Sequence, residues 1–246
     1  MTAPTGPIPD RSLVSGIVLA GGRSSRFGSD KMAVALAGRP LVHHAIEAVA
    51  AVCAEVVVVV SVGGDVPFPG AFSVPLRVTR DLAPGGGPLV GLIAGLDAAR
   101  FPVAIVAGGD MPLLRAAVLE ALVGRVGAGG DRVDVAGAGA ETEAAAETDA
   151  AAETEAAVET EASPAAACLV EDGRPVPLPC ALRREPALAL ARSQLAAGES
   201  SLRVLLEALS AAHVPEPEWR ALDPDGRTLL DVDRPEDLER ARRALS

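Results

Sequence analysis

Residues 14–31 read VSGIVLAGGRSSRFGSDK, and this stretch decides the fold. Its first seven residues form a short apolar run that ends in glycines. Such a run predicts a strand buried on both faces, as in parallel sheets, followed by a loop. In that loop Gly21 and Gly22 let backbone N–H groups approach phosphates closely, and Arg26 and Lys31 add two positive charges. The loop fits neither G-x-x-x-x-G-K-[ST] nor G-x-G-x-x-G, which disfavours a P-loop NTPase and a dinucleotide dehydrogenase.

Working outward, strands and helices alternate. Apolar spacing predicts a helix over 40–54. Residues 55–62 hold six valines and predict a second buried strand. A short third strand over 77–79 leads to Asp81, and a helix over 90–99 follows, with Pro88 at its first position. A fourth strand over 103–107 ends at Gly108-Gly109-Asp110, and residues 113–126 read as helical. This alternation predicts an α/β, Rossmann-like, mostly parallel sheet with helices on both faces. In such sheets ligands bind beyond the carboxyl ends of the strands. The three segments with unusual chemistry all fall there: 21–31, 81–87 and Asp110. Asp110 could hold Mg²⁺ that bridges phosphate oxygens, or it could cap the helix over 113–126. Asp81 could bind a base or ribose, or cap its own turn. His43 and His44 have no His or Cys partner at metal spacing and read as a surface pair. Trp219 reads as a packing residue.

Composition bounds the remaining classes. Hydrophobic residues make up 49% of the 246, but aromatics only 2%. The core must be aliphatic, and the shortage of aromatic faces argues against stacking platforms for single-stranded nucleic acid. The net charge is −11, yet residues 141–161 hold eight acids and no base; subtracting those eight leaves −3. The acidity therefore describes an insert, and a basic footprint for nucleic acid is lacking. Near-copies of a hexad start at Glu141, Glu147, Glu153 and Glu159. A six-residue period suits neither strand nor helix. Residues 137–166 are expected to form a low-complexity acidic insert within a single nucleotidyltransferase domain over 14–246, preceded by a disordered tail over 1–13. Cys53, Cys168 and Cys180 lack metal or redox spacing and read as free buried thiols. No apolar run reaches membrane-span length, and the N-terminus lacks a signal peptide's apolar stretch, so a cytoplasmic location without membrane contact is expected.

After the fourth strand, order is expected to return at 167–170, with an extended stretch over 176–182 and helices over 185–197 and 201–211. Residues 227–232 lead into Asp233-Arg234-Pro235, where Asp233 can cap a last helix reaching about residue 245.

Residues 19–31, LAGGRSSRFGSDK, closely resemble the L-A-G-G-x-S-x-R-[MF]-G-x-D-K signature of molybdenum cofactor guanylyltransferases. Gly38-Arg39-Pro40-Leu41, RDLAPGGGPLVGL (80–92), GGDMP (108–112), PLPCALRRE (177–185) and DVDRPEDL (231–238) are also similar to that family's motifs. The resemblance implies a nucleotidyltransferase that joins GMP from GTP to molybdopterin, forming the guanine dinucleotide and pyrophosphate. It implies that Leu19, Ala20 and Gly21 contact the nucleotide, that Lys31 meets its phosphates, that Asp81 binds near guanosine and that Asp110 holds Mg²⁺. Gly22 extends the nucleotide cradle, and Arg26 is added as a phosphate clamp beside the catalytic Lys31 and Asp110. GTP and molybdopterin are the expected small-molecule partners, with transient contacts to other cofactor-biosynthesis or acceptor proteins. The family often carries an Asn after the second strand; here that place falls on Ser61 or a neighbour in Ser61-Val62-Gly63-Gly64. Cytidylyltransferase relatives usually carry L-A-A-G, so Gly21-Gly22 together with Gly87-Pro88-Leu89 favours GTP over CTP. The alternatives are a cytidylyl- or sugar-phosphate nucleotidyltransferase, or a nucleotide-binding module without turnover.

Overall fold

The computed structural model describes residues 10–21, 31–63, 71–81, 87–126 and 163–245. The loop residues 22–30, which include Gly22 and Arg26, and the acidic hexads lie outside them.

The strands are β1 (Val14–Leu19), β2 (Ala35–Leu36), β3 (Arg39–Pro40), β4 (Glu55–Val60), β5 (Leu76–Arg80), β6 (Val103–Gly108), β7 (Ala166–Glu171), β8 (Arg174–Arg183) and β9 (Ala212–Val214). The helices are α1 (Leu41–Ala50), α2 (Gly87–Ala98), α3 (Ala116–Val126), α4 (Arg184–Ala196), α5 (Leu202–Ala208), α6 (Glu216–Leu222) and α7 (Pro235–Leu245). Among the described residues, seven strands form one sheet in the order β5-β4-β1-β6-β8-β7-β9, and β2 and β3 form a separate hairpin. β1 pairs parallel with both β4 and β6, and β4 pairs parallel with β5. β8 alone runs against its neighbours β6 and β7. The expected mostly parallel α/β sheet is therefore the observed one.

Both faces of the sheet are covered, which explains the unbroken apolar runs. Val56, Val58 and Val60 pack in one layer with α1, α3 and Trp219 of α6. Val57 and Val59 point the opposite way, into a layer built with α2, α4 and α5. Each such fully buried valine contributes about 2 kcal/mol of transfer free energy. α2 lies close on the sheet because a Cβ on Gly95 would stand 2.6 Å from Ile17 Cγ2. A third small cluster joins Leu36, Leu41 and Leu113 to Val232, Leu238 and Ala241, and so fastens α7 to the rest.

Four expectations are corrected. Residues 11–13, assigned to the tail, form a 3₁₀ turn whose Ser12 amide bonds the Asp10 side chain. The strand expected from 167 starts at Ala166, which is fully buried. His43 and His44 are buried, not a surface pair. His44 Nε2 donates to the Leu36 carbonyl at 2.9 Å, and the His43 ring meets Phe72 edge-on at 5.4 Å. Beyond the sheet, α1 is covered by the β2–β3 hairpin at His44 and by Phe72 at His43. Finally, α3 begins at Ala116, so Asp110 is not its cap. Trp219 is a packing residue as expected, with its Nε1–H on the Val170 carbonyl at 2.8 Å. All three cysteines are free and buried.

Candidate active site

The chain leaves β1 at its carboxyl end and is held there from both sides. The Ala20 amide donates to Val59 O at 2.8 Å, and the Gly109 amide to Leu19 O at 2.9 Å. The Asp81 amide donates to Val60 O at 2.9 Å. These bonds extend the β4, β1 and β6 ladders past the strand ends, and they bring Leu19, Ala20, Gly21, Ser61, Asp81 and Asp110 to one rim of the sheet. Gly109 permits the approach: a Cβ there would lie 3.3 Å from Ala20 Cα and 3.0 Å from Met32 Sδ. A Cβ on Gly108 would collide with Asp110 Oδ1.

At one end of this rim, Asp81 is wedged between two glycines. A Cβ on Gly21 would lie 3.0 Å from both Asp81 Oδ2 and Ser61 Oγ, and one on Gly91 would lie 2.9 Å from Asp81 Oδ1. Asp81 Oδ1 is buried and has no hydrogen-bond partner among the described residues. Burial pushes the Asp81 carboxyl above the usual carboxylate value. A buried acceptor without a donor costs about 1–3 kcal/mol, and a ligand's hydroxyl or N–H would recover it.

At the other end stands Lys31. Its Nζ bonds Asp110 Oδ2 at 2.8 Å and Asp233 Oδ1 at 2.7 Å, and the residue is 8% exposed. Burial opposes the ammonium charge, but the bonds and charges of Asp110 and Asp233 outweigh it and raise the Lys31 pKa. Asp233 thus serves Lys31, and it is Asp237 that accepts the Asp233 and Arg234 amides at the start of α7. Val232 N–H donates to Asp110 O at 2.9 Å and its side chain is fully buried. Asp231 and Asp233 flank it. The Asp231 carboxyl is raised first by burial and then by the charges of Asp233 and Asp110.

Of the expected site residues, Leu19, Ala20, Gly21, Lys31, Asp81 and Asp110 share the rim, while Gly22 and Arg26 fall outside the described residues. Sequence reasoning missed Asp233 as the partner of Lys31, since the two lie 202 positions apart. It also missed Gly91, whose signal was a glycine inside a helical pattern.

A glycine-lined strand end, a buried lysine between two carboxylates and a third carboxylate at the far end describe a nucleotide-handling α/β enzyme. Residues 16–214 match the family described as MobA-like NTP transferase domain, and the chain belongs to this family of nucleotidyltransferases. A probable molybdenum cofactor guanylyltransferase of Chloroflexus aggregans is 33% identical over 94% of this chain and 95% of its own. A molybdenum cofactor guanylyltransferase of Desulfosudis oleivorans is 28% identical over 94% and 96%. Among solved structures, molybdopterin-guanine dinucleotide biosynthesis protein A from Archaeoglobus fulgidus superposes with a TM-score of 0.64 at 21% identity, covering 94% of this chain and 98% of that one. The 2-C-methyl-D-erythritol 4-phosphate cytidylyltransferase of Thermus thermophilus gives 0.59 at 19%, covering 94% and 98%. These two structures share the fold. No helix of the described residues is long and apolar enough to cross a membrane.

Proposed function

We propose that the protein transfers GMP from GTP to molybdopterin, in the biosynthesis of the molybdenum cofactor. The observation that carries this reading is the Lys31–Asp110 pair at the carboxyl ends of β1 and β6, on a chain with a relative over nearly its full length named probable molybdenum cofactor guanylyltransferase. Leu19, Ala20, Gly21 and Gly22 would cradle the nucleotide, and Asp81 would take the ribose or base beside Ser61. The terminal phosphate oxygen of the acceptor attacks the α-phosphorus of GTP. A new P–O bond forms, the α–β anhydride bond breaks, and pyrophosphate leaves. Lys31 and Arg26 neutralise charge on the phosphates, and fixed positioning supplies much of the rate. The nucleophile is already an anion, so no general base is needed.

Mg²⁺ fits the donor set, since Asp110 offers a hard carboxylate oxygen and the Lys31 ammonium already sits between two carboxylates as a stand-in cation. Asp110 would hold it, and the ion would supply charge neutralisation at the phosphates.

The test is incubation with Mg²⁺, molybdopterin and either GTP or CTP, followed by detection of the dinucleotide and of pyrophosphate. Guanine dinucleotide supports the reading. Product from CTP alone, or from a sugar phosphate as acceptor, replaces it with the cytidylyl or sugar-phosphate alternative. Tight GTP binding without pyrophosphate for every acceptor indicates a module without turnover. Transient contacts with other proteins of cofactor biosynthesis, and a cytoplasmic location, belong to the same proposal.

A further inference from the structure

We propose that Asp233 is a positioning residue: together with Asp110 it holds the Lys31 ammonium as a resident counter-cation, so that a divalent cation gains Asp110 only as Lys31 is drawn away by the phosphates of an arriving nucleotide. This rests on the nucleotidyl-transfer reading and deepens it.

The geometry is specific. Lys31 Nζ stands 2.8 Å from Asp110 and 2.7 Å from Asp233. The lysine side chain is 11% exposed, while those of Asp110 and Asp233 are 27% and 50% exposed. The ammonium is therefore enclosed, and the carboxylates that enclose it are reachable from solvent. The same Asp110 oxygen cannot take an ammonium and a divalent cation at full strength, because two cations within about 4 Å repel strongly at any protein dielectric. A bare divalent ion must push the ammonium off Asp110 while bringing it no new anionic partner. A triphosphate changes this, because its oxygens offer Lys31 a new anionic partner. Asp233 sets the balance by bearing part of the ammonium's charge and fixing its place beside Asp110.

Mn²⁺ serves as the probe, with free ion read by electron paramagnetic resonance in the absence of nucleotide. Wild-type protein should bind Mn²⁺ weakly. Lys31→Met should bind it at least about tenfold more tightly, with two carboxylates released. Asp110→Asn in the Lys31→Met background should abolish that gain, whereas Asp233→Asn there should leave it in place, because Asp233 acts through the ammonium; a loss of the gain with Asp233→Asn overturns the positioning role. Should Lys31→Met fail to fold by circular dichroism, Lys31→Gln gives the same reading with a polar side chain. Mn²⁺ affinity of either folded variant no higher than wild type overturns the proposal. The readout needs no turnover, so the two readings fail separately. A Mn²⁺ gain without nucleotidyl transfer keeps the exchange and removes the proposed reaction. Transfer without the gain does the reverse.

Discussion

The amide of Val232 donates to the carbonyl of Asp110 at 2.9 Å, which ties the C-terminal segment to the loop after β6. Val232 is fully buried among Leu36, Leu41, Leu113, Leu238 and Ala241, so the packing of α7 sets where Asp233 stands relative to Lys31. Val232→Ala should cost about 2 kcal/mol of stability by leaving a cavity. It should also lower kcat more than it raises KM for nucleotide. Urea unfolding and steady-state kinetics measure the two effects, and a stability loss with unchanged kcat would separate α7 packing from the site.

Lys31 bonds Asp110, the carboxylate assigned to the metal ion. Lys31→Ala should lower kcat by about 10²–10³-fold, the scale of losing one preorganised charge at the transferring phosphorus. Pyrophosphate release measures it. Near-normal release would remove Lys31 from the catalytic set.

Two glycines one turn apart on α2 should answer the same substitution differently. Gly95→Ala meets Ile17 at 2.6 Å and Val59 at 3.2 Å, so overpacking should destabilise the fold by about 1–3 kcal/mol, partly offset by alanine's higher helix propensity. Gly91→Ala meets Asp81 Oδ1 at 2.9 Å. It should weaken nucleotide binding about tenfold or more, with a smaller effect on stability. Calorimetric titration alongside denaturant curves checks the contrast.

Asp81 links pH to stability. Burial raises its carboxyl above the ordinary 3.8, so the folded state favours the protonated form. The group's stabilising contribution is complete below the unfolded-state value and disappears as the pH rises through the folded one. Asp81→Asn, which stays neutral, should therefore raise Tm at neutral pH and change it little below about pH 3. It should also weaken GTP binding. An equal rise in Tm at acid and neutral pH would assign the gain to packing.

The lone tryptophan offers a direct check on the sheet's far side. Trp219 is fully buried, with its indole N–H on Val170 O at 2.8 Å and Arg220 4.6 Å above its ring. Its emission should be blue-shifted and move red on unfolding. Trp219→Phe should cost about 2–3 kcal/mol through the lost donor and the smaller ring.

The parallel half of the sheet was legible because Val14–Leu19, Glu55–Val60 and Val103–Gly108 are buried on both faces, and such strands leave continuous apolar runs. β9 has three residues, too few for any period, and α6 has Pro217 in its first turn and reads as a loop. The β7–β8 hairpin carried a signal that was passed over: Asp172-Gly173, both with positive φ, is the pair that a tight hairpin turn requires. The rim residues after β1, β5 and β6 were legible from the rule that ligands gather at strand carboxyl ends. Asp233 was not, because nothing local to DVDRPEDL says that its carboxylate meets a lysine near the other end of the chain. His43 and His44 were misplaced for a related reason: helical spacing identifies the face toward the sheet, but not a second cover from Phe72 and the β2–β3 hairpin.

The central place of β1 has a cost in time. Leu19 pairs with Val59 on one side and with Gly108 on the other. A ribosome that has just made β1 works on the order of ten seconds more before β6 has been synthesised. Throughout that interval β1 has an open edge, and the valines of β4 join it with α1 already made but before α3 to α6, which complete the cover on both faces. Non-local parallel pairing is slow to form, and unpaired apolar edges invite pairing with other chains. The nascent protein therefore faces its greatest hazard of aggregation early in translation, and its soluble yield should depend on chaperone capacity and on the speed of synthesis through the first hundred or so residues.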